Sequence, residues 1–312
     1  MKRSVLITIL VVQLILVAVV WGLRFNEEEF EPAVLLSFEP GVIQKVEISA
    51  SDDERRVTLV RNADDWRFES GIPADGDKVE QFLTKLANTN SGWPVAEEDS
   101  TAERFEVTKE NHQRHIVLSD ADKVLGGLYL GTSPGYQKVH ARAALGGAVY
   151  SIKFSAYEAG MDTSSWLDRS ILQPVGEVRE LALEGVFTLS KDDDKRWESD
   201  QNRALDQDAV QTFINRFRNL TVMDVHEEAI GDDPLMTYVV SDDDGAQRLS
   251  IVRIENPEDD SATSRYVVSS DRQEGHFELA SYLAERIETS LDDLVISESE
   301  VCLLYTSDAA DE

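Results

Sequence analysis

The sequence predicts an α+β protein: one N-terminal transmembrane helix, then two tandem, duplicated β-rich units, each with antiparallel strands and covering helices. Three observations carry this expectation. An uncharged run opens at Val5 and closes at Leu23 (residues 5–23), and only Thr8 and Gln13 in it are distinctly polar. From Val42 onward apolar residues alternate with polar ones, as in half-buried antiparallel strands. A set of aromatic, capping and apolar positions in the first half then recurs in the second at one constant spacing.

The uncharged run, as a helix, spans about 28 Å, close to the thickness of a bilayer core. Lys2 and Arg3 precede it, while Glu27, Glu28, Glu29 and Glu31 follow. Positive flanks stay on the cytoplasmic side, so the expected topology is single-pass, with the N-terminus in the cytoplasm and the bulk of the chain outside. Trp21 falls near the outer end, where an indole suits the headgroup region. A cleaved signal peptide would have a shorter apolar core and small residues at its cleavage site. The run ends Val19-Val20-Trp21-Gly22-Leu23, with no such site and no lipid-acceptor cysteine, so an uncleaved anchor is expected. The division is then 1–24, cytoplasmic flank and anchor; 25–43, an acidic approach segment; 44–172, a first α+β unit; 173–301, a second; and 302–312, a tail.

The formal charge of −30 on 312 residues excludes nucleic acid, because phosphate contact needs clustered Lys and Arg. The acids are scattered, which favours a solvated coat over a surface made for a basic partner or a cation. The tail Cys302-Leu303-Leu304-Tyr305-Thr306-Ser307-Asp308-Ala309-Ala310-Asp311-Glu312 resembles the in-frame translation of a sequencing adapter. On that reading the single cysteine is foreign, and disulfide and thiol chemistry are not expected.

In chain order, Pro32 and Pro40 break the approach segment, and Val34-Leu35-Leu36 is expected to dock on the domain. Val46 and Ile48, Val57 and Leu59, and Trp66 and Phe68 mark three strands, separated by Ser51-Asp52-Asp53-Glu54 and Asn62-Ala63-Asp64-Asp65 turns. Pro73-Ala74-Asp75 opens a helix: Asp75 caps it, and Val79, Phe82, Leu83 and Leu86 form one apolar face. Short strands follow at 115–118, 125–130, 139–143 and 148–152, then a helical stretch over 154–166, broken near Gly160. The pattern restarts with strands at 178–183, 186–189 and 196–197. Trp197, Asp206, Val210, Phe213 and Phe217 follow Trp66, Asp75, Val79, Phe82 and Leu86, every pair separated by the same distance along the chain. Strands at 236–240, 249–254 and 266–268 and a helix over 277–291 complete the second unit. Both tryptophans are expected to pack under the helix that follows them.

The arrangement Asp65-Trp66, Pro73-Ala74-Asp75 and a Val-x-x-Phe-Leu-x-x-Leu helix resembles the uncharacterised bacterial family DUF4340. Leu130-Gly131, Tyr136, Ala141-Arg142, Val149-Tyr150 and Leu167-Asp168-Arg169-Ser170-Ile171-Leu172 extend the resemblance. It covers residues 44–172 well and the second half more loosely. Arg104-Phe105-Glu106-Val107 departs from it, since relatives tend to carry a Tyr-Gly-Leu-like turn there. The resemblance implies a membrane-anchored protein on the outer face of the bacterial cytoplasmic membrane. It also implies association with ABC transport systems of the gliding-motility auxiliary type; no catalytic residues are established for the family, so none is carried over.

Several chemical motifs stand beside it. Gly131-Thr132-Ser133-Pro134-Gly135 fits G-x-S-x-G literally, but a nucleophile elbow needs a helix after it, and Pro134-Gly135 reads as a hairpin turn. His112 and His115 fall before Ile116-Val117-Leu118, a strand on which residues three apart face opposite sides, and His140, His226 and His276 are scattered. Asp242-Asp243-Asp244-Gly245 fails the calcium-loop spacing because Val240 holds its first ligand position, and Asp192-Asp193-Asp194 reads as the same kind of polar turn. No catalytic, cofactor-binding or metal residue is assigned, and no cofactor is expected. The leading expectation is a non-enzymatic accessory subunit of an ABC-type transport complex, its partners the transporter's membrane or auxiliary subunits and, through 5–23, the lipid bilayer. An outward-facing module binding a glycan, peptide or cation is the alternative, and a hydrolase using Ser133 the third reading.

Overall fold

The computed structural model describes residues 3–24, 35–52, 55–63, 65–121, 123–231, 233–254 and 264–296, and within 3–24 the side chains of 9–20. The acidic residues after the first helix, the 297–312 segment and Cys302 lie outside the described residues.

The first helix, α1 (Arg3–Arg24), runs the length of the uncharged stretch. Its side chains from Ile9 to Val20 are exposed, and none joins the buried core. Counted over the described side chains, no helix is long and apolar enough to cross a membrane. The transmembrane expectation therefore has a helix behind it, but no span among the described residues. Of the three residues expected to dock, Val34 lies outside the described residues, while Leu35 and Leu36 dock. Leu35, Leu36 and Phe38 pack against the core, and Ile43 is fully buried.

The first sheet is built from β1 (Lys45–Ser49), β2 (Arg56–Asn62), β3 (Asp65–Phe68), β4 (Pro94–Ala96), β5 (Arg114–Asp120), β6 (Lys123–Leu130), β7 (Val139–Ala143) and β8 (Val149–Ile152). The second contains β9 (Glu180–Leu183), β10 (Phe187–Lys191), β11 (Trp197–Ser199), β12 (Val222–His226), β13 (Met236–Asp242), β14 (Gly245–Ile254), β15 (Arg265–Ser270) and β16 (His276–Leu279). Every pairing is antiparallel; short turns join pairs such as β5–β6 and β13–β14, while β1 meets β5 and β9 meets β13 across long stretches of chain. The orders are β3-β2-β1-β5-β6-β7-β8-β4 and β11-β10-β9-β13-β14-β15-β16-β12, eight strands each. These are the same order with every strand moved on by eight, which is compatible with duplication of one unit.

Helix α2 (Gly76–Ala87) covers the first sheet and α4 (Gln207–Arg218) the second. Each starts at an aspartate that accepts amide hydrogens in its first turn: Asp75 from Lys78 at 3.0 Å, and Asp206 from Asp208 and Ala209 at 2.9 and 3.1 Å. The buried faces are Val79, Phe82, Leu83 and Leu86 in α2, and Val210, Phe213, Ile214 and Phe217 in α4, matched position for position. Trp66 and Trp197 are both buried, as expected. The units share one apolar core. They also join through backbone: the Val222 amide donates to the Arg169 carbonyl at 3.0 Å.

Two expectations are corrected. The 154–166 stretch is not an α-helix but two 3-10 turns, Ala156–Glu158 and Thr163–Ser165. Gly160 explains the break: any β-carbon there would meet the Ser165 side chain at 2.4 Å. The expected helix over 277–291 begins as strand β16, where Phe277 and Leu279 alternate into the core. The helix proper, α5 (Ser281–Ile287), is shorter and is followed by a 3-10 turn, Leu291–Leu294. Edge strands β4 and β12 and a short helix, α3 (Asp99–Ala102), had no expectation at all.

Glu106, in the stretch that departs from the family pattern, sits at φ 56°, a left-handed conformation that costs a β-carbon-bearing residue about 1 kcal/mol. Glycine, without a β-carbon, fits there. Glu106→Gly is expected to raise the unfolding free energy by about 0.5–1 kcal/mol. Chemical denaturation checks it, and a loss would show that the bond from the Gln113 side-chain amide to the Glu106 carboxylate, at 2.7 Å, outweighs the backbone term.

Candidate functional site

The motif residues converge. The Ala74 amide donates to the Trp66 carbonyl at 2.9 Å, and the Asp75 amide to Trp166 at 2.7 Å, which brings the strand before α2 against the segment closing the first unit. Ala74 and Leu167 form an antiparallel bridge there. The second unit repeats the arrangement, with Asp206 donating its amide to Leu294 at 2.9 Å and a bridge between Leu205 and Val295. In the first unit these contacts frame a groove of about 810 Å³ that reaches Thr221 of the second. Asp65, Asp75, Asp77, Glu80 and Asp168 line it against two cations, Arg67 and Arg169.

Local bonds hold the lining. The Trp66 indole donates to Glu80 at 2.9 Å, Arg61 pairs with the same carboxylate, and its guanidinium lies 4.9 Å over the indole. Asp168 accepts the Ser170 amide at 2.9 Å and its hydroxyl at 2.6 Å, closing a tight turn. Excess carboxylate attracts cationic groups and repels anions. Among the described residues no histidine, the commonest general base, lines the groove. Neither Glu80 nor the Asp168–Ser170 turn stands out as a groove wall from sequence; the constellation forms only when residues about a hundred positions apart are brought together.

The sequence motifs resolve individually. Ser133 donates its hydroxyl to the carbonyls of Gly135 at 2.9 Å and Lys138 at 2.7 Å, so it ties its own hairpin. The histidine nearby, His140, bonds Thr132 through Nδ1 at 2.8 Å instead, and burial pushes its pKa down. His112 and His115 do not face opposite sides. Their rings are 5.6 Å apart, and both lie against Tyr129, at 5.0 and 4.5 Å. The strand rule fails because β5 begins at Arg114, and His112 sits before it in a bridge with Val107. Among the described residues no three of His, Cys, Asp and Glu are grouped to hold a metal.

The Asp242-Asp243-Asp244-Gly245 turn closes the β13–β14 hairpin, as expected, and does something further. Asp242 receives a two-pronged bond from Arg272 at 2.8 and 2.6 Å and the Val175 amide at 2.8 Å, while Asp243 accepts the Glu177 amide at 3.1 Å. The turn thus clamps the stretch of chain that links the two units. Arg272 holds the Asp242 carboxyl below the usual carboxylate range.

Two β-rich sheets of equal strand order, a covering helix on each and an N-terminal helix with exposed apolar side chains define a class of two-unit β-rich proteins. Residues 66–242 match the family described as Domain of unknown function (DUF4340), and the chain belongs to that family. The match starts in β3 and ends with β13, so it crosses from the first unit into the second. No curated protein and no solved structure matches the chain.

Proposed function

We propose that this protein is a non-enzymatic accessory subunit of an ABC-type transport complex, held at the outer face of the cytoplasmic membrane by residues 5–23. The observation that carries the reading is α1. Its apolar side chains stay exposed while the two units complete their own core, so the helix has a surface still to bury. Bilayer or neighbouring helices supply that surface, and Gln13 offers a polar contact across such an interface. The engagement of Ser133 within its own hairpin speaks against the hydrolase reading. The acidic groove favours one alternative, an outward-facing module that binds a cationic ligand or peptide.

Protease added to spheroplasts tests the anchoring. The two units should be degraded, leaving a protected fragment ending near Arg24, and removal of residues 1–24 should release the protein from membranes. A fully protected C-terminal part would reverse the topology. Release of the intact chain by a carbonate wash would remove the anchor.

A further inference from the structure

The two units differ at one equivalent place. In the first, Arg61 stands directly across the strand pair from Trp66, and the Glu80 carboxylate takes both the indole N–H and the guanidinium. In the second, Lys191 stands across from Trp197 in the same register, with its ammonium 5.2 Å over the indole ring. The counterpart of Glu80 in the repeat is Gln211, which turns away and donates its amide to Asn215 at 3.1 Å. Glu177 takes Lys191 at 2.6 Å but not the indole. Trp197 is only 5% exposed, and its indole N–H is buried with no acceptor. Buried donors are almost always paired, because an unpaired one forfeits its hydration.

Trp197 lines a cavity of about 260 Å³, together with Lys191, Gln211, Arg218 and Glu177. Two cations against one carboxylate make the lining net positive in a chain of net charge −30. We propose that this cavity is a binding site for a small carboxylate, which accepts the Trp197 indole N–H and faces Lys191 and Arg218 as Glu80 does Trp66 and Arg61 in the first unit. A carboxylate suits the place because the sister unit builds the same recognition from its own side chain: a planar oxygen acceptor between an indole donor and a cation. The site is independent of the accessory role and of the acidic groove.

The test reads the indole protons of the full chain, labelled with ¹⁵N-tryptophan in detergent micelles, with Trp197→Phe assigning the signal. Sodium acetate or succinate, against sodium chloride at matched ionic strength, should move the Trp197 signal downfield in a saturable way. The Trp66 signal, whose acceptor is Glu80, should stay still. Gln211→Glu should place the Trp197 signal at its bound position without ligand, abolish the response to acetate and raise Tm. Gln211→Ala, which cannot fill the cavity from within, should keep the response. No saturable shift in either the parent chain or Gln211→Ala would overturn the proposal. An equal response to sodium sulfate would overturn the assignment to carboxylates.

Discussion

Trp166→Ala should cost about 4 kcal/mol of unfolding free energy, in the range for removing a large buried aromatic side chain. Trp166 is 1% exposed and is among the largest fully buried side chains. Its ring meets Phe82 edge-on at 5.2 Å, and its indole N–H donates to the Gly160 carbonyl at 2.8 Å. The substitution therefore opens a cavity under α2 and leaves a carbonyl without its donor. Its backbone carbonyl also receives the Asp75 amide, so the loss falls where the motif segments meet. The melting temperature should drop by roughly 10 °C for a domain of this size. Tyr157→Ala, at a side chain exposed to 92%, is the control and should change little. A drop of under about 1 kcal/mol for Trp166→Ala would mean that the closing segment does not pack as described.

A second large loss is expected at the clamp. The Asp242 side chain is fully buried and that of Arg272 is 24% exposed, so removing either partner strands a charge away from water. Asp242→Ala should cost about 3 kcal/mol, since breaking such a pair leaves its partner unpaired and frees the Val175 amide as well. The pH dependence follows from the direction of the shift. Arg272 lowers the carboxyl pKa in the folded chain below its unfolded value of about 3.9. Its stabilisation is thus complete above about pH 4 and is lost as pH falls through the lower folded value. Denaturant titrations between pH 6 and 2.5 should show that decline in the parent chain and a shallower one in Asp242→Ala. Parallel curves would remove Asp242 from the acid response.

The parts of this fold legible from sequence are those set by local chemistry. Asp75 and Asp206 cap helices because a side-chain oxygen reaches amides two or three residues on. Val46 and Ile48, or Val57 and Leu59, alternate because one face of a sheet is buried. The spacing between Trp66 and Trp197 exposes the repeat, and the equal strand orders agree with it. What sequence does not show depends on partners far along the chain. Strands β4 and β12 are short and find their strand partners, β8 and β16, far along the chain. Phe277 looks like the start of a helix because Phe277, Ala280 and Ala284 also recur at helical spacing. His112 and His115 look divergent only if strand geometry is extended past the start of β5. The acids of 242–244 read correctly as a turn, yet their hold on Val175 and Glu177 crosses more than sixty residues. The acidic groove is hidden for the same reason: its walls are the family motifs themselves, each readable alone as a cap, a strand end or a turn.

Purifying the full chain from its native membranes in mild detergent, and identifying what travels with it, separates an anchored accessory subunit from a protein with chemistry of its own. An ABC permease or a gliding-type auxiliary subunit should co-elute, and the association should be lost when residues 1–24 are replaced by an unrelated span. Recovery of no such partner, together with a hydrolytic activity abolished by Ser133→Ala, would refute the accessory role.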